Sequence, residues 1–235
     1  MLLVLLQNVV SINADSLATS AAANETPVSY FELAVKGGWV MVPIAILSVI
    51  AIYIFIERFM AIRNAGKIDQ NFMNRIKDYI HDGKVDSAMA LCQSTNNPLA
   101  RMMEKGVSRI GRPLNDINTA IQNIGQVEVY KLEKGLAILA SCAGGAPMLG
   151  FFGTVLGMVK TFMDMANAGT SLDIGILSNG IYIALITTVG GLLVGIPAFF
   201  AYNYLVARVE ELVNRLEAYS MEFMDLLNEP AKKNN

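Results

Sequence analysis

Three threonines lie in strongly apolar stretches of this sequence. Thr154 lies in residues 135–159, and Thr187 and Thr188 lie in residues 174–207; neither stretch contains Asp, Glu, Lys, Arg or His. A threonine hydroxyl can donate a hydrogen bond to water or to a carboxylate from another polypeptide, although it can also bond to its own helix backbone. Because these stretches contain no ionisable group, a proton path through them would need an acid supplied by another chain.

Small residues accompany these threonines at helical spacing, three or four residues apart. One set comprises Ala143, Pro147, Gly150, Thr154, Gly157 and Thr161, and the other comprises Ala184, Thr188, Gly191, Gly195 and Ala198. Each set would form a narrow stripe along one helix and allow a neighbouring helix to approach closely. Helix packing is therefore the alternative to a pore-lining role. We assign packing to Gly150, Gly153, Gly157, Gly191 and Gly195, and we expect Thr154, Thr188, Thr187 and Pro147 to line a pore.

Three windows without charged residues must position these side chains. They cover residues 37–56, 135–159 and 174–207, and each is long enough for the roughly 20 apolar residues that a membrane-spanning helix needs. Hydrophobic residues make up 54% of the chain and charged residues only 16%, whereas soluble domains average about 25% charged residues. This composition disfavours a soluble enzyme, and the net charge of −2 disfavours a nucleic-acid-binding protein.

The helical patterns predict an all-α integral membrane protein with three transmembrane helices. A heptad seam continues beyond the third window, which predicts that this helix extends out of the membrane to end near Pro230. A similar apolar pattern precedes the second window, so one long helix over residues 114–162 is predicted. The residues of the seam are Val209, Leu212, Leu216, Tyr219, Phe223 and Leu226, and those before the second window are Ile117, Ile121, Ile124 and Val127.

Basic residues determine the predicted orientation in the membrane. Most of the 18 Lys and Arg residues lie between positions 57 and 135, and loops rich in Lys and Arg near the spans stay in the cytoplasm. We therefore expect a periplasmic N-terminus and a cytoplasmic C-terminus. The predicted segments are a periplasmic segment with a short amphipathic helix (1–36), a first span (37–56), a cytoplasmic helical region (57–135), a second span (136–160), a periplasmic hairpin (161–173), a third span (174–205), and a cytoplasmic helix and tail (206–235).

The sequence lacks the usual signs of a catalytic or metal site. One histidine and two cysteines do not form a zinc-binding pattern, and no nucleophile–base pair is visible. We predict no catalytic residue, no metal ligand and no cofactor. The opening run MLLVLLQNVV lacks the basic residues of a secretory signal peptide, which disfavours its removal.

Two motifs resemble the MotA/TolQ/ExbB proton channel family. Residues 146–158 read APMLGFFGTVLGM, and residues 180–198 read GIYIALITTVGGLLVGIPA; both are similar to the family's signatures in its last two spans. Glu57-Arg58 resembles the pair that ends the family's first span, and Asn97-Pro98 is similar to a conserved stretch of its cytoplasmic loop. The chain has three predicted spans, whereas the MotA branch has four, so it looks closest to the ExbB and TolQ branches, and to ExbB in particular.

The resemblance implies a motor subunit of the bacterial inner membrane. Such proteins form homopentamers whose second and third spans line a pore, with Thr154 and Thr188 at the matched positions. Single-span partners of the ExbD type place an Asp inside the pore, and a TonB-like protein carries force to outer-membrane transport. Many relatives carry a Glu where this chain has Ile183, so that the acid must come wholly from the partner. A TolQ-like role in envelope integrity and a non-conducting scaffold stay open as alternatives, as does Na⁺ in place of H⁺.

Overall fold

The computed structural model describes residues 37–67, 70–167 and 174–228. Over these residues the chain is all α-helical, without a strand, as predicted. Seven helices follow one another in the described part: α1 (Met41–Ala65), α2 (Gln70–His81), α3 (Val85–Ser94), α4 (Pro98–Val107), α5 (Leu114–Glu133), α6 (Leu136–Asn167) and α7 (Ile174–Asn228). The predicted amphipathic helix at residues 29–35, the opening apolar run, most of the turn of the 161–173 hairpin and the tail after Asn228 lie outside the described residues.

Three regions of the described chain are long and apolar enough to cross a membrane, namely α1, the stretch from α5 through α6, and α7. Large apolar side chains on α1, α6 and α7 are exposed, among them Val49, Phe151, Val189 and Leu193. A soluble protein rarely exposes so much contiguous apolar surface. The chain is therefore an integral membrane protein with three spans, as the charge-free windows predicted.

The short helices form a bundle with α5 and the C-terminal half of α7, which we call the helical bundle. Its centre contains fully buried Phe72, Leu99, Met103, Ile121 and Phe223. The predicted break before Pro98 is present because Asn97 caps α4, its side-chain oxygen accepting a hydrogen bond of 2.6 Å from the Ala100 backbone N–H.

The heptad seam of α7 packs into the helical bundle as predicted. Val209, Leu212, Leu216, Phe223 and Leu226 are buried, and Tyr219 is half-buried against the same core. The helix runs without interruption to Asn228, two residues before Pro230. On α5, the corresponding apolar pattern is confirmed for Ile117 and Ile121, whereas Val127 is 48% exposed.

The single helix predicted over residues 114–162 is wrong, because α5 and α6 are separated at Lys134 and Gly135. Lys134 leaves the helical conformation with ψ of 125°, and Gly135 has φ of +87°, a region that favours glycine. At this break the Lys131 carbonyl accepts a hydrogen bond of 3.1 Å from the Arg58 side chain of α1. The end of α1 therefore supplies a partner for a carbonyl of the last turn of α5.

A buried carboxylate joins two helices of the bundle. Glu128 of α5 is only 3% exposed and accepts hydrogen bonds from Arg101 of α4 at 2.5 Å and from Lys131 at 2.7 Å. Burial alone would raise the pKa of the Glu128 carboxyl, but the two cations outweigh burial and hold this pKa below its usual value of 4.5. The cluster therefore stabilises the packing of α4 on α5 while Glu128 is ionised.

We expect Glu128→Gln to lower the free energy of unfolding at pH 7 by about 2 kcal/mol, or roughly 4–8 °C in Tm, because two charge-assisted hydrogen bonds are weakened. Since the pKa of the Glu128 carboxyl is lower in the folded state than in the unfolded state, its ionisation stabilises the fold. This stabilisation is complete above the pKa of the unfolded state and is lost as pH falls through the pKa of the folded state. The difference between wild type and Glu128→Gln should therefore shrink below about pH 4.5.

Thermal melting of the detergent-solubilised protein across acidic and neutral pH measures both effects. Glu133→Gln is the matched control, because Glu133 is an exposed acid on the same helix. Equal melting temperatures for the two variants at pH 7 would contradict the proposed contribution of Glu128.

Candidate functional site

The three predicted threonines meet at the contact between α6 and α7. The Thr154 and Thr188 hydroxyl oxygens lie within hydrogen-bond distance of each other. Thr154 Oγ1 is 3.1 Å from the Ala184 carbonyl oxygen, and Thr187 Oγ1 is 2.7 Å from the same oxygen. All three hydroxyl oxygens lie 3.2 Å from the Gly150 carbonyl oxygen. The structure therefore brings these side chains from two helices into one cluster, which we call the threonine cluster.

The hydrogen bonds of the threonine cluster define what it can do chemically. Each hydroxyl has one proton to donate, and the carbonyls of Gly150 and Ala184 can accept all of them within the chain. Thr187 is only 2% exposed, whereas Thr154 and Thr188 are half-buried. Because a hydroxyl turns easily about its C–O bond, the two half-buried threonines can also donate to an acceptor that approaches from outside the pair.

Small residues allow α6 and α7 to approach closely around this cluster. A methyl group on Gly191 would lie 2.5 Å from the Ala146 carbonyl oxygen and 2.9 Å from the Gly150 Cα atom. A methyl group on Gly150 would lie 2.8 Å from the Thr187 carbonyl oxygen. Since only backbone atoms fill these spaces, glycine is needed at both positions for the observed helix separation.

The remaining predicted packing residues extend the same contact along both helices. A methyl group on Gly157 would lie 2.8 Å from the Ala184 Cβ atom, and one on Gly153 would lie 2.7 Å from the Thr187 hydroxyl oxygen. Pro147 packs directly against Gly195, two helical turns from Thr154, and so lies outside the threonine cluster. The lining of a pore by Thr154, Thr187, Thr188 and Pro147 stays a prediction.

Sequence reasoning missed two features of this contact. The buried Thr161 side chain occupies the space that a side chain on Gly180 would need. Gly180 lies one helical turn before Ala184 and extends the small-residue stripe of α7. This spacing could have identified Gly180. The roles of the Gly150 and Ala184 carbonyls as shared acceptors had no sequence signal, because every residue carries a carbonyl group.

The chemistry of the cluster is limited to hydrogen bonding. Ile183, at the position where the resemblance implies a Glu in many relatives, places a half-buried apolar side chain on α7. Within residues 37–67, 70–167 and 174–228, no group of three His, Cys, Asp or Glu side chains is arranged to hold a metal ion. Any carboxylate beside the threonine cluster would have to come from outside residues 135–159 and 174–207, which contain neither Asp nor Glu.

All of α6 and most of α7 lie within a region that matches a known protein family. Residues 94–218, which run from the end of α3 into the second half of α7, match the model of the MotA/TolQ/ExbB proton channel family. This chain belongs to the MotA/TolQ/ExbB proton channel family. The family membership predicted from the two sequence motifs is thus confirmed, and the threonine cluster lies in the matched region.

Individual relatives in this family carry ExbB and TolQ names. The chain is 28% identical over 200 residues to the Tol-Pal system protein TolQ of Pseudomonas aeruginosa, covering 80% of this chain and 86% of that one. It is 33% identical over 119 residues to the biopolymer transport protein ExbB of Neisseria gonorrhoeae, covering 50% and 54%. It is 25% identical over 183 residues to a putative ExbB homolog of Methanothermobacter thermautotrophicus, covering 77% and 64%. The chain thus spans less than two thirds of the length of these two ExbB-named relatives and most of the length of this TolQ.

Proposed function

We propose that this chain is the ring-forming subunit of an inner-membrane motor that is driven by the proton-motive force and energises outer-membrane active transport. In this proposal the chain acts like ExbB, with an ExbD-like single-span partner inside a homopentameric ring and a TonB-like protein that receives the force. Family membership supports a proton-channel motor subunit. The threonine cluster and the lack of Asp and Glu in the charge-free windows support a carboxylate supplied by the partner, and the ExbB-like role follows from the resemblance of the sequence motifs.

The threonine cluster suits a hydrogen-bonding role beside a partner's carboxylate. An ionised Asp on the partner helix would accept hydrogen bonds from the Thr154 and Thr188 hydroxyls, and these bonds would weaken when the Asp is protonated. Hydrogen bonds to a charged group are worth about 1.5–3 kcal/mol, whereas one proton crossing 100 mV yields about 2.3 kcal/mol. The two energies are of similar size, so protonation can switch the partner between bound and released positions.

The proposed topology follows the distribution of basic residues. Segments 37–56, 136–160 and 174–205 cross the membrane, with the N-terminus in the periplasm and the helical bundle in the cytoplasm. Arg58 and Arg63 at the end of α1, and Lys131 and Lys134 at the end of α5, then lie on the cytoplasmic side. In the proposed ring, the exposed apolar surface of α1, α6 and α7 is shared between lipid, the neighbouring subunits and the ring interior.

Proton flux into liposomes tests this function directly. When a membrane potential is applied, we expect rings reconstituted alone to leave the pH inside the liposomes unchanged. Rings reconstituted with the partner should acidify or alkalinise the liposome interior, depending on the sign of the membrane potential. Wild-type partner and partner with its Asp replaced by Asn form the matched pair. Proton flux through rings without any partner would contradict a carboxylate supplied by the partner. Absence of flux with the intact partner would favour a non-conducting scaffold. Repeating the assay with a sodium gradient and measuring sodium flux identifies the coupling ion.

A TolQ-like role in envelope integrity is the second candidate. The observation that favours it is the TolQ of Pseudomonas aeruginosa, of which this chain covers 86%. Affinity purification of the tagged chain from its own membranes distinguishes the two roles, because the ExbB-like role requires a TonB-like protein and the TolQ-like role requires a TolA-like protein.

A further inference from the structure

A cavity of about 310 Å³ opens between α1 and α7 where these helices leave the proposed spans. Phe59, Tyr204 and Leu205 contribute its apolar wall. The Phe59 and Tyr204 rings lie 6.3 Å apart, and Leu205 is fully buried. The volume lies at the lower end of the range of small-molecule sites, which is about 300–1,000 Å³.

The rest of the cavity lining includes a cationic group of side chains, one of which, Arg208, lies over the Tyr204 ring and donates a hydrogen bond of 3.2 Å to its hydroxyl oxygen. This group contains the guanidinium groups of Arg63, Arg208 and Arg215 and the carboxylate of Glu211. Glu211 pairs with Arg208 at 2.7 Å and with Arg215 at 2.5 Å. Arg63 has no ion-pair or hydrogen-bond partner among the residues that the structure describes. With three positive groups and one negative group, the lining has a formal excess of two positive charges.

We propose that this cavity binds the phosphate of an anionic phospholipid from the cytoplasmic leaflet. Guanidinium groups bind phosphate oxygens in a forked geometry, and basic pockets beside transmembrane helices bind anionic headgroups. Arg63 is the principal ligand because it has no carboxylate to neutralise it, while the Phe59–Tyr204 wall contacts the glycerol backbone and the start of an acyl chain. An apolar wall continuous with lipid-facing helices selects a phospholipid over a free anion. The cytoplasmic leaflet follows from the proposed topology, and the site does not require proton conduction.

Native mass spectrometry of the delipidated full-length protein tests the proposal, with dioleoyl phosphatidylglycerol and dioleoyl phosphatidylcholine as probes. We expect wild type to retain phosphatidylglycerol in preference to phosphatidylcholine, and Arg63→Gln to weaken this preference about fivefold, the effect of one basic residue near an anionic headgroup. Arg112→Gln is the matched control, because Arg112 is an exposed arginine outside the cavity, and it should leave the preference unchanged.

Three outcomes overturn the assignment. Equal retention of the two lipids by wild type, or equal loss in Arg63→Gln and Arg112→Gln, would exclude a headgroup site at Arg63. Displacement of phosphatidylglycerol by excess inorganic phosphate would identify a free-anion site instead. Should Arg63→Gln fail to assemble, Arg63→Lys is measured instead, because lysine keeps the positive charge but lacks the forked guanidinium. The proposal then requires wild type to prefer phosphatidylglycerol and Arg63→Lys to lose part of this preference, by less than fivefold.

Discussion

Replacing Gly191 with alanine is expected to separate α6 from α7 and to lower Tm by roughly 6–12 °C, about 3 kcal/mol for overpacking in a chain of this size. The added methyl group would lie 2.5 Å from the Ala146 carbonyl oxygen and 2.9 Å from the Gly150 Cα atom. Backbone atoms cannot rotate away as the end of a side chain can, so the two helices themselves must move. Thermal melting of the solubilised protein, followed by light scattering for ring assembly, measures the loss.

The adjacent glycine provides the control for this substitution. A methyl group on Gly190 would meet only the Met41 side chain, with Cε at 2.8 Å and Sδ at 3.1 Å, and methionine is flexible enough to move aside. Gly144→Ala offers a second control, because nothing lies within 4 Å of the added group. A Tm of Gly191→Ala equal to the Tm of Gly190→Ala and Gly144→Ala would contradict the close backbone contact between α6 and α7.

Thr188→Val is expected to reduce partner-dependent proton flux by about tenfold to a hundredfold, the range that corresponds to loss of one hydrogen bond to a charged group. The valine methyl group replaces the hydroxyl at nearly constant volume, so packing of α6 on α7 should persist. Because Thr188 Oγ1 is bonded to Thr154 within the chain, Thr154→Val is expected to give a similar reduction. Flux assays with the reconstituted partner measure the effect, and ring mass confirms assembly.

Two further variants separate the chemical role of Thr188 from a purely structural one. Thr188→Ser keeps the hydroxyl and should restore most of the flux. Thr187→Val removes a hydroxyl that is almost fully buried, so it should lower Tm and, where the ring assembles, leave the pH dependence of flux unchanged. Wild-type flux in Thr188→Val would reject the role of this hydroxyl.

Local patterns predicted the spans, the small-residue stripes and the seam of α7, because helical spacing alone places such residues on one face. The break at Gly135 was missed although Lys131, Lys134 and Gly135 are a typical helix ending, since apolar residues continue on both sides of it. The pairing of Glu128 with Arg101 joins positions 27 residues apart, and the cavity joins α1 to α7. Contacts of this kind depend on tertiary packing and leave no trace in local spacing.

The two helices of the threonine cluster continue into the helical bundle in different ways. With 55 residues in one continuous helix, α7 is about 80 Å long and joins the third span to the helical bundle without a loop, although Pro197 removes one backbone hydrogen bond within it. The path through α6 and α5 contains a joint at Gly135, where the backbone leaves helical geometry and one side can swivel without turning the other. Under the proposed function, α7 is therefore the direct path from the spans to the helical bundle, and the break at Gly135 allows the angle between α5 and α6 to change.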